Sequence, residues 1–181
     1  MIIRKSAQEI EGMARAGELV HETLQLVAEH LEPGVTMLEL DRIADEHIAS
    51  RGGVPTSKGY KGFPAALCIS PNSMVVHGIP TDYRAREGDL ISVDLGVTLN
   101  GLVADSAVTL GVGEIDADAQ RLLEVSREGL VDGGDRPLVG VDVHVRLAGR
   151  DHRLDRERHP FLQQRSAGRR PVVRDLRVLV I

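Results

Sequence analysis

From Ser6 onward, apolar residues recur at helical spacing, with Ile10, Met13, Val20, Leu24, Val27 and Leu31 on one face until Glu32-Pro33-Gly34 breaks the run. Ser6 followed three residues later by Glu9 has the form of a capping box, and Thr36 with Glu39 repeats it. The second run continues through Leu40, Ile43, Ala44 and Ile48 to the stop at Arg51-Gly52-Gly53. Two helices are therefore predicted in the first 50 residues, with His21, His30 and His47 on solvated faces among acids.

Beyond residue 53 the period becomes strand-like. Residues 55–62, PTSKGYKG, read as a loop. Residues 65–70 and 73–76 are short apolar stretches parted by the turn signal Pro71-Asn72. His77-Gly78-Ile79-Pro80 closes the second stretch: glycine there permits a backbone shape closed to other residues, and proline ends strand pairing. A histidine just before such a corner either projects into a cleft or lies at the surface.

The clearest alternation runs through residues 90–99, where Ile91, Val93, Leu95, Val97 and Leu99 occupy odd positions and Ser92, Asp94, Gly96 and Thr98 even ones. Asn100-Gly101 suits a two-residue hairpin turn, with residues 102–110 returning as the partner strand. Paired positions then sum to an odd number, so Asp94 and Asp105 share a face; a three-residue loop would separate them. Asp94 would sit opposite Ala107 with Asp105 as its diagonal neighbour, Cα atoms about 7–8 Å apart. Two carboxylates so placed repel unless a cation, or a pair of cations roughly 3.5–4 Å apart, sits between them. The competing reading is an exposed sheet edge with both carboxylates solvated. Gly96 and Ser106 leave room above the sheet and favour a ligand, and a hard divalent ion suits such oxygens.

Composition narrows the class. The chain has 181 residues, 42% hydrophobic and 27% charged, enough for one domain with a core built from aliphatic residues, since aromatics are 2%. One cysteine, Cys68, excludes an internal disulfide and accords with a reducing compartment. No run of signal-peptide length opens the chain and no 18 consecutive apolar residues occur, so a soluble cytoplasmic protein is expected, without a membrane partner. The charge is uneven: residues 1–130 carry 11 Lys and Arg against 20 Asp and Glu, and residues 131–181 carry 11 against 7.

Residues 60–113, YKGFPAALCISPNSMVVHGIPTDYRAREGDLISVDLGVTLNGLVADSAVTLGVG, closely resemble the type I methionine aminopeptidases, and MIIRKSAQEIEGMARAG is similar to their N-terminal helix. The resemblance covers residues 1 to about 130. It implies the pita-bread α/β fold, in which two similar halves form a curved antiparallel sheet with helices outside and a two-metal site inside. Residues 1–130 would be the N-terminal half. Carried over, it makes Asp94 and Asp105 metal ligands, Asp105 bridging two divalent ions of the cobalt, manganese, iron or zinc kind. It makes His77 the catalytic histidine that contacts substrate, and Tyr60, Phe63 and Cys68 the lining of the methionine pocket. The activity implied is two-metal hydrolysis that removes the initiator methionine from nascent polypeptides, with the ribosome as a further partner and no nucleic acid.

The family site needs five protein ligands: after the two aspartates come a histidine in a Gly-His-Gly context and two glutamates. Residues 131–181 have no His-Gly step and one glutamate, Glu157. A substitute cluster of His144, His152, Asp155, Glu157 and His159 is opposed by Arg153, Arg156 and Arg158. A nucleic-acid-binding tail is opposed by missing aromatics and interleaved acids. Arginine-rich, lysine-free composition is what GC-rich coding sequence yields out of frame, so residues 131–181 are expected to be a divergent tail, frameshifted or disordered. The alternative to an aminopeptidase is accordingly a truncated or frameshifted non-catalytic remnant of that family, keeping half the fold.

Overall fold

A computed structural model describes residues 4–135, with side chains through Arg127. Helix α1 spans Ala7–His30 and α2 spans Met37–Ser50. The Ser6 capping box is complete: Glu9 N–H donates to Ser6 Oγ at 3.2 Å and Ser6 N–H to Glu9 Oε2 at 2.7 Å. Only half of the predicted second box forms. Thr36 Oγ1 accepts from Glu39 N–H at 3.1 Å, but the Glu39 carboxylate turns to the Arg42 guanidinium at 2.6 Å, because an ion pair one turn along competes with the backbone donor.

Strand β1 (Val54–Pro55), β2 (Cys68–Pro71), β3 (Leu90–Leu99) and β4 (Leu102–Gly111) form one antiparallel sheet. On one side β3 pairs along its whole length with β4; on the other, its first half pairs with β2 and its end with β1. Asn100 (φ 52) and Gly101 (φ 79) are both left-handed, as a two-residue turn matching the strand twist requires. The register follows: Asp94 pairs with Ala107 and Gly96 with Asp105, as parity predicted.

One face of the sheet is the core face. Ile91, Val93, Leu95 and Val97 of β3 and Ala104 and Leu110 of β4 are buried against Val20, Leu24 and Val27 of α1 and Leu40, Ala44 and Ile48 of α2. Each large aliphatic side chain withdrawn from water there contributes about 1.5–3 kcal/mol. The opposite face carries Ser92, Asp94, Gly96 and Thr98 facing Thr109, Ala107, Asp105 and Val103. Since α1 and α2 pack on the other side, this face presents a shallow floor of small and polar residues.

Three expectations are corrected. The segment 73–76 is not a strand: Val75 is 86% exposed and Val76 62%, and its apolar character serves no described core. Of residues 65–70 only the end is strand, and pairing continues through Pro71. His47 is not solvated. Its Nε2 is buried without a hydrogen-bond partner, 3.9 Å from the Glu22 carboxylate, which is itself paired with Arg51. His30 does stay exposed, whereas half-burial of His21 pulls its imidazole below the ordinary histidine range, with Glu22 opposing.

Helix α3 spans Ala117–Asp135 and was not foreseen; Asp116 Oδ1 accepts from Ala119 N–H at 2.7 Å, the side-chain cap that marks its start. The helix runs past residue 130, where the composition changes. His144, His152, Asp155, Glu157, His159 and the arginines beside them lie outside the described residues.

Candidate metal centre

The open face of the sheet collects the candidate residues by register. Asp94 stands on β3, Asp105 on β4 opposite Gly96, and Cys68 on β2 directly opposite Asp94. Gly96 leaves the space between them: a Cβ there would come 3.2 Å from Thr56 Cβ and 3.7 Å from Asp105 Cγ. Thr56 and Thr98 close the end of this space with a 3.1 Å bond between their hydroxyls. Thr56 was missed by sequence reasoning; its signal was its place directly after the strand residue that pairs with β3.

The two carboxyl groups meet. Burial first, then the Asp105 charge and a hydrogen bond shared with Asp105, push Asp94 up from 3.8 to about 6, while the nearby His77 imidazole pulls the other way. The Cys68 thiol is also raised, by burial first and then by Asp94, Asp105 and Asp41. Asp94 and Asp105 therefore bring two carboxyl groups together on one half-buried face. Such a donor set fits a hard divalent ion, for which two converging carboxylates are suitable ligands. It is a partial set: among the described residues no cluster of three or more His, Cys, Asp or Glu is arranged to hold a metal.

His77 is held at the rim of this face by a backbone strap. Gly78 N–H donates to Ser70 Oγ at 3.1 Å and Ile69 N–H donates to the Gly78 carbonyl at 2.8 Å. A Cβ at position 78 would overlap the Ile69 carbonyl oxygen, so glycine is required for close approach. The left-handed residue is His77 (φ 56) and not Gly78, the reverse of the sequence expectation. At the foot of the same loop, buried Asp89 accepts from Asn72 Nδ2 at 3.0 Å, Tyr83 Oη at 2.7 Å and Arg86 N–H at 2.9 Å. These bonds fix where the chain leaves β2 and enters β3. They were invisible in the sequence, where Asp89 was one acid among many.

The remaining predicted pocket residues lie on the connection from β1 to β2. Tyr60 opens a short 3₁₀ turn, Tyr60–Gly62, and is 66% exposed; Phe63 caps it and is half-buried. The structure thus brings Asp94, Asp105, Cys68 and His77 to one face and sets Tyr60 and Phe63 on the adjoining loop.

The fold thus sets a half-buried pair of acids on one face of a four-stranded antiparallel sheet, with α1 and α2 packed against the other. The sequence matches the model of metallopeptidase family M24 over residues 11–136, and the chain belongs to that family. It is 46% identical over 139 residues to a methionine aminopeptidase of Clostridium perfringens, a match covering 77% of this chain and 56% of the relative. The fold is that of the methionine aminopeptidase from Thermotoga maritima (TM-score 0.71, 39% identity, 74% of this chain and 54% of that one). The enzyme from Rickettsia prowazekii superposes equally well (TM-score 0.71, 33% identity, again 74% and 54%). The architecture is therefore the pita-bread α/β fold, and the chain spans about half the length of the relatives it matches. Among the described residues no helix is long and apolar enough to cross a membrane.

Proposed function

We propose that this chain carries the substrate-facing half of a methionine aminopeptidase site, in which Asp94 and Asp105 hold divalent metal. The observation that supports this most directly is the meeting of the two carboxyl groups on an open face, at the pair of positions where β3 and β4 lie diagonally. Bound there, a divalent ion supplies a hydroxide near neutral pH and polarises a peptide carbonyl. The chain's own residues do the rest. His77, held by the Gly78 strap, donates toward the carbonyl of the first residue of a peptide, and its nearness works against the upward shift of the Asp94 carboxyl. Tyr60, Phe63 and Cys68 form the wall that receives a methionine side chain; a raised thiol stays neutral and behaves as a small apolar group. The substrates are nascent chains with N-terminal methionine, met at the ribosome in the cytoplasm, and the metal complement is two ions.

One observation favours a second reading. The described residues supply two of the five ligands that the resemblance implies, which suits a non-catalytic remnant that binds metal without turnover. The two separate in one experiment: the purified chain is incubated with Mn²⁺ or Co²⁺ and a Met-Ala-Ser peptide. Methionine release above a metal-only blank establishes the peptidase; metal binding by calorimetry with no release establishes the remnant.

A further inference from the structure

The loop carrying Tyr60 and Phe63, together with Cys68 at the start of β2, is tied at both feet to α2. At one foot Lys58 Nζ meets Asp45 Oδ2 at 2.6 Å, a largely exposed pair. At the other foot Asp41 Oδ1 accepts from two successive backbone N–H groups, Ala66 at 2.9 Å and Leu67 at 2.8 Å. Asp41 and Asp45 are one helical turn apart, so a single face of α2 meets both ends of the loop. From the opposite side Ser57 Oγ lies 3.2 Å from the Ala65 carbonyl oxygen and 2.8 Å from that of Ala66. The strip 65–67 is buried but is not a strand, so no ladder satisfies its backbone; side chains do so instead. Cys68 follows immediately and is fixed opposite Asp94.

We infer that Asp41 is a positioning residue for the pocket that receives the methionine side chain, setting through Ala66 and Leu67 the depth at which Cys68 faces the aspartates. The inference rests on the proposed methionine pocket. A carboxylate accepting two N–H groups is a charge-assisted, geometrically specific clamp, where the exposed Lys58–Asp45 pair is weak. Asp41 does not touch the reacting atoms; it acts through the backbone of the pocket wall, and its charge, which also reaches the Cys68 thiol, is removed equally in D41N and D41A.

Cys68 is the chain's one cysteine, so alkylation reads the pocket wall without turnover. Wild type, D41N and D41A are compared for the rate of Cys68 alkylation by iodoacetamide at one pH, with and without L-methionine. Asparagine keeps the acceptor oxygen and the side-chain volume without the charge, whereas alanine removes the acceptor and the volume together; both lack the Asp41 charge, so their comparison is free of it. D41A is expected to react about tenfold faster than D41N, and L-methionine is expected to protect wild type and D41N but not D41A. Equal rates and equal protection in D41N and D41A overturn the inference, as does a D41A protein with a lowered melting temperature but intact protection. Should D41A fail to fold, S57A releases the same strip from its other side and should accelerate alkylation several-fold; an unchanged rate overturns the clamp. If L-methionine protects none of the proteins, the pocket reading itself fails, and the ligand-free rates still decide the role of Asp41.

Discussion

Replacing Asp94 with asparagine should stabilise the metal-free protein at neutral pH. In the folded state the Asp94 carboxyl titrates at about 6 against an ordinary 3.8, because burial and Asp105 penalise its ionised form. A carboxyl raised on folding contributes stability that is complete below its unfolded pKa and is lost as pH rises through the folded value. The window is therefore pH 4 to 6, with the contribution gone by pH 7. A rise of about two pH units corresponds to about 3 kcal/mol at about 1.36 kcal/mol each, and solvent over the half-open face reduces this to about 1–2 kcal/mol. Asparagine has the same shape, remains neutral, and can donate to Asp105. In EDTA at pH 7.5, D94N should exceed wild type by about 1–2 kcal/mol in urea unfolding, or roughly 2–8 °C in melting temperature. The difference should shrink as pH falls through 6 and nearly vanish only below about pH 3.8. Adding Mn²⁺ should reverse the order, since metal bound by the native state alone stabilises wild type. A D94N protein less stable than wild type in EDTA at pH 7.5, or a difference that does not change with pH, refutes the account of two carboxyls forced together.

Other positions give sharper structural tests. Gly78→Ala must push against the Ile69 carbonyl and should cost about 1–3 kcal/mol in denaturant unfolding, while displacing His77 enough to weaken peptide binding. A variant as stable as wild type would mean that the strap is looser than described. Gly101→Val places a β-branched residue at φ 79 and should cost about 1–2 kcal/mol by the same assay; metal affinity should fall as well, since the turn sets the parity that brings Asp94 and Asp105 together.

Local pattern carried what local physics decides. The helices α1 and α2 were legible because their apolar stripes and stops are written within a few turns of chain, and the β3–β4 hairpin because Asn100-Gly101 dictates both turn and register. The diagonal placement of Asp94 and Asp105 on one face followed from arithmetic once the loop length was right. What failed was anything settled between distant segments. The apolar residues 73–76 looked like a strand, yet hydrophobicity alone does not say whether a partner exists, and Val75 ends up 86% exposed. One local choice failed as well: Glu39 matched a capping box, yet Arg42, three residues along the same helix, was the better partner.

The buried acids make the same point from the other side. Asp41 and Asp89 sit in sequence contexts indistinguishable from solvated ones, and each takes its role from backbone N–H groups or side chains that only the fold delivers: Ala66 and Leu67 for Asp41, Asn72 and Tyr83 for Asp89. Cys68 faces Asp94 because β2 and β3 pair in one register across the 18 residues, 72–89, that separate them. That register depends on where the strip 65–67 is clamped and where Asn72 and Asp89 close the loop, and neither clamp leaves a periodic trace. Asp94 and Asp105 could thus be brought together from a turn, whereas the wall opposite them could be found only from the folded chain. A substitution at Asp41 therefore tests something that a substitution at Asp94 cannot: whether the pocket's shape is held from behind, by the helix layer, independently of the charges in front.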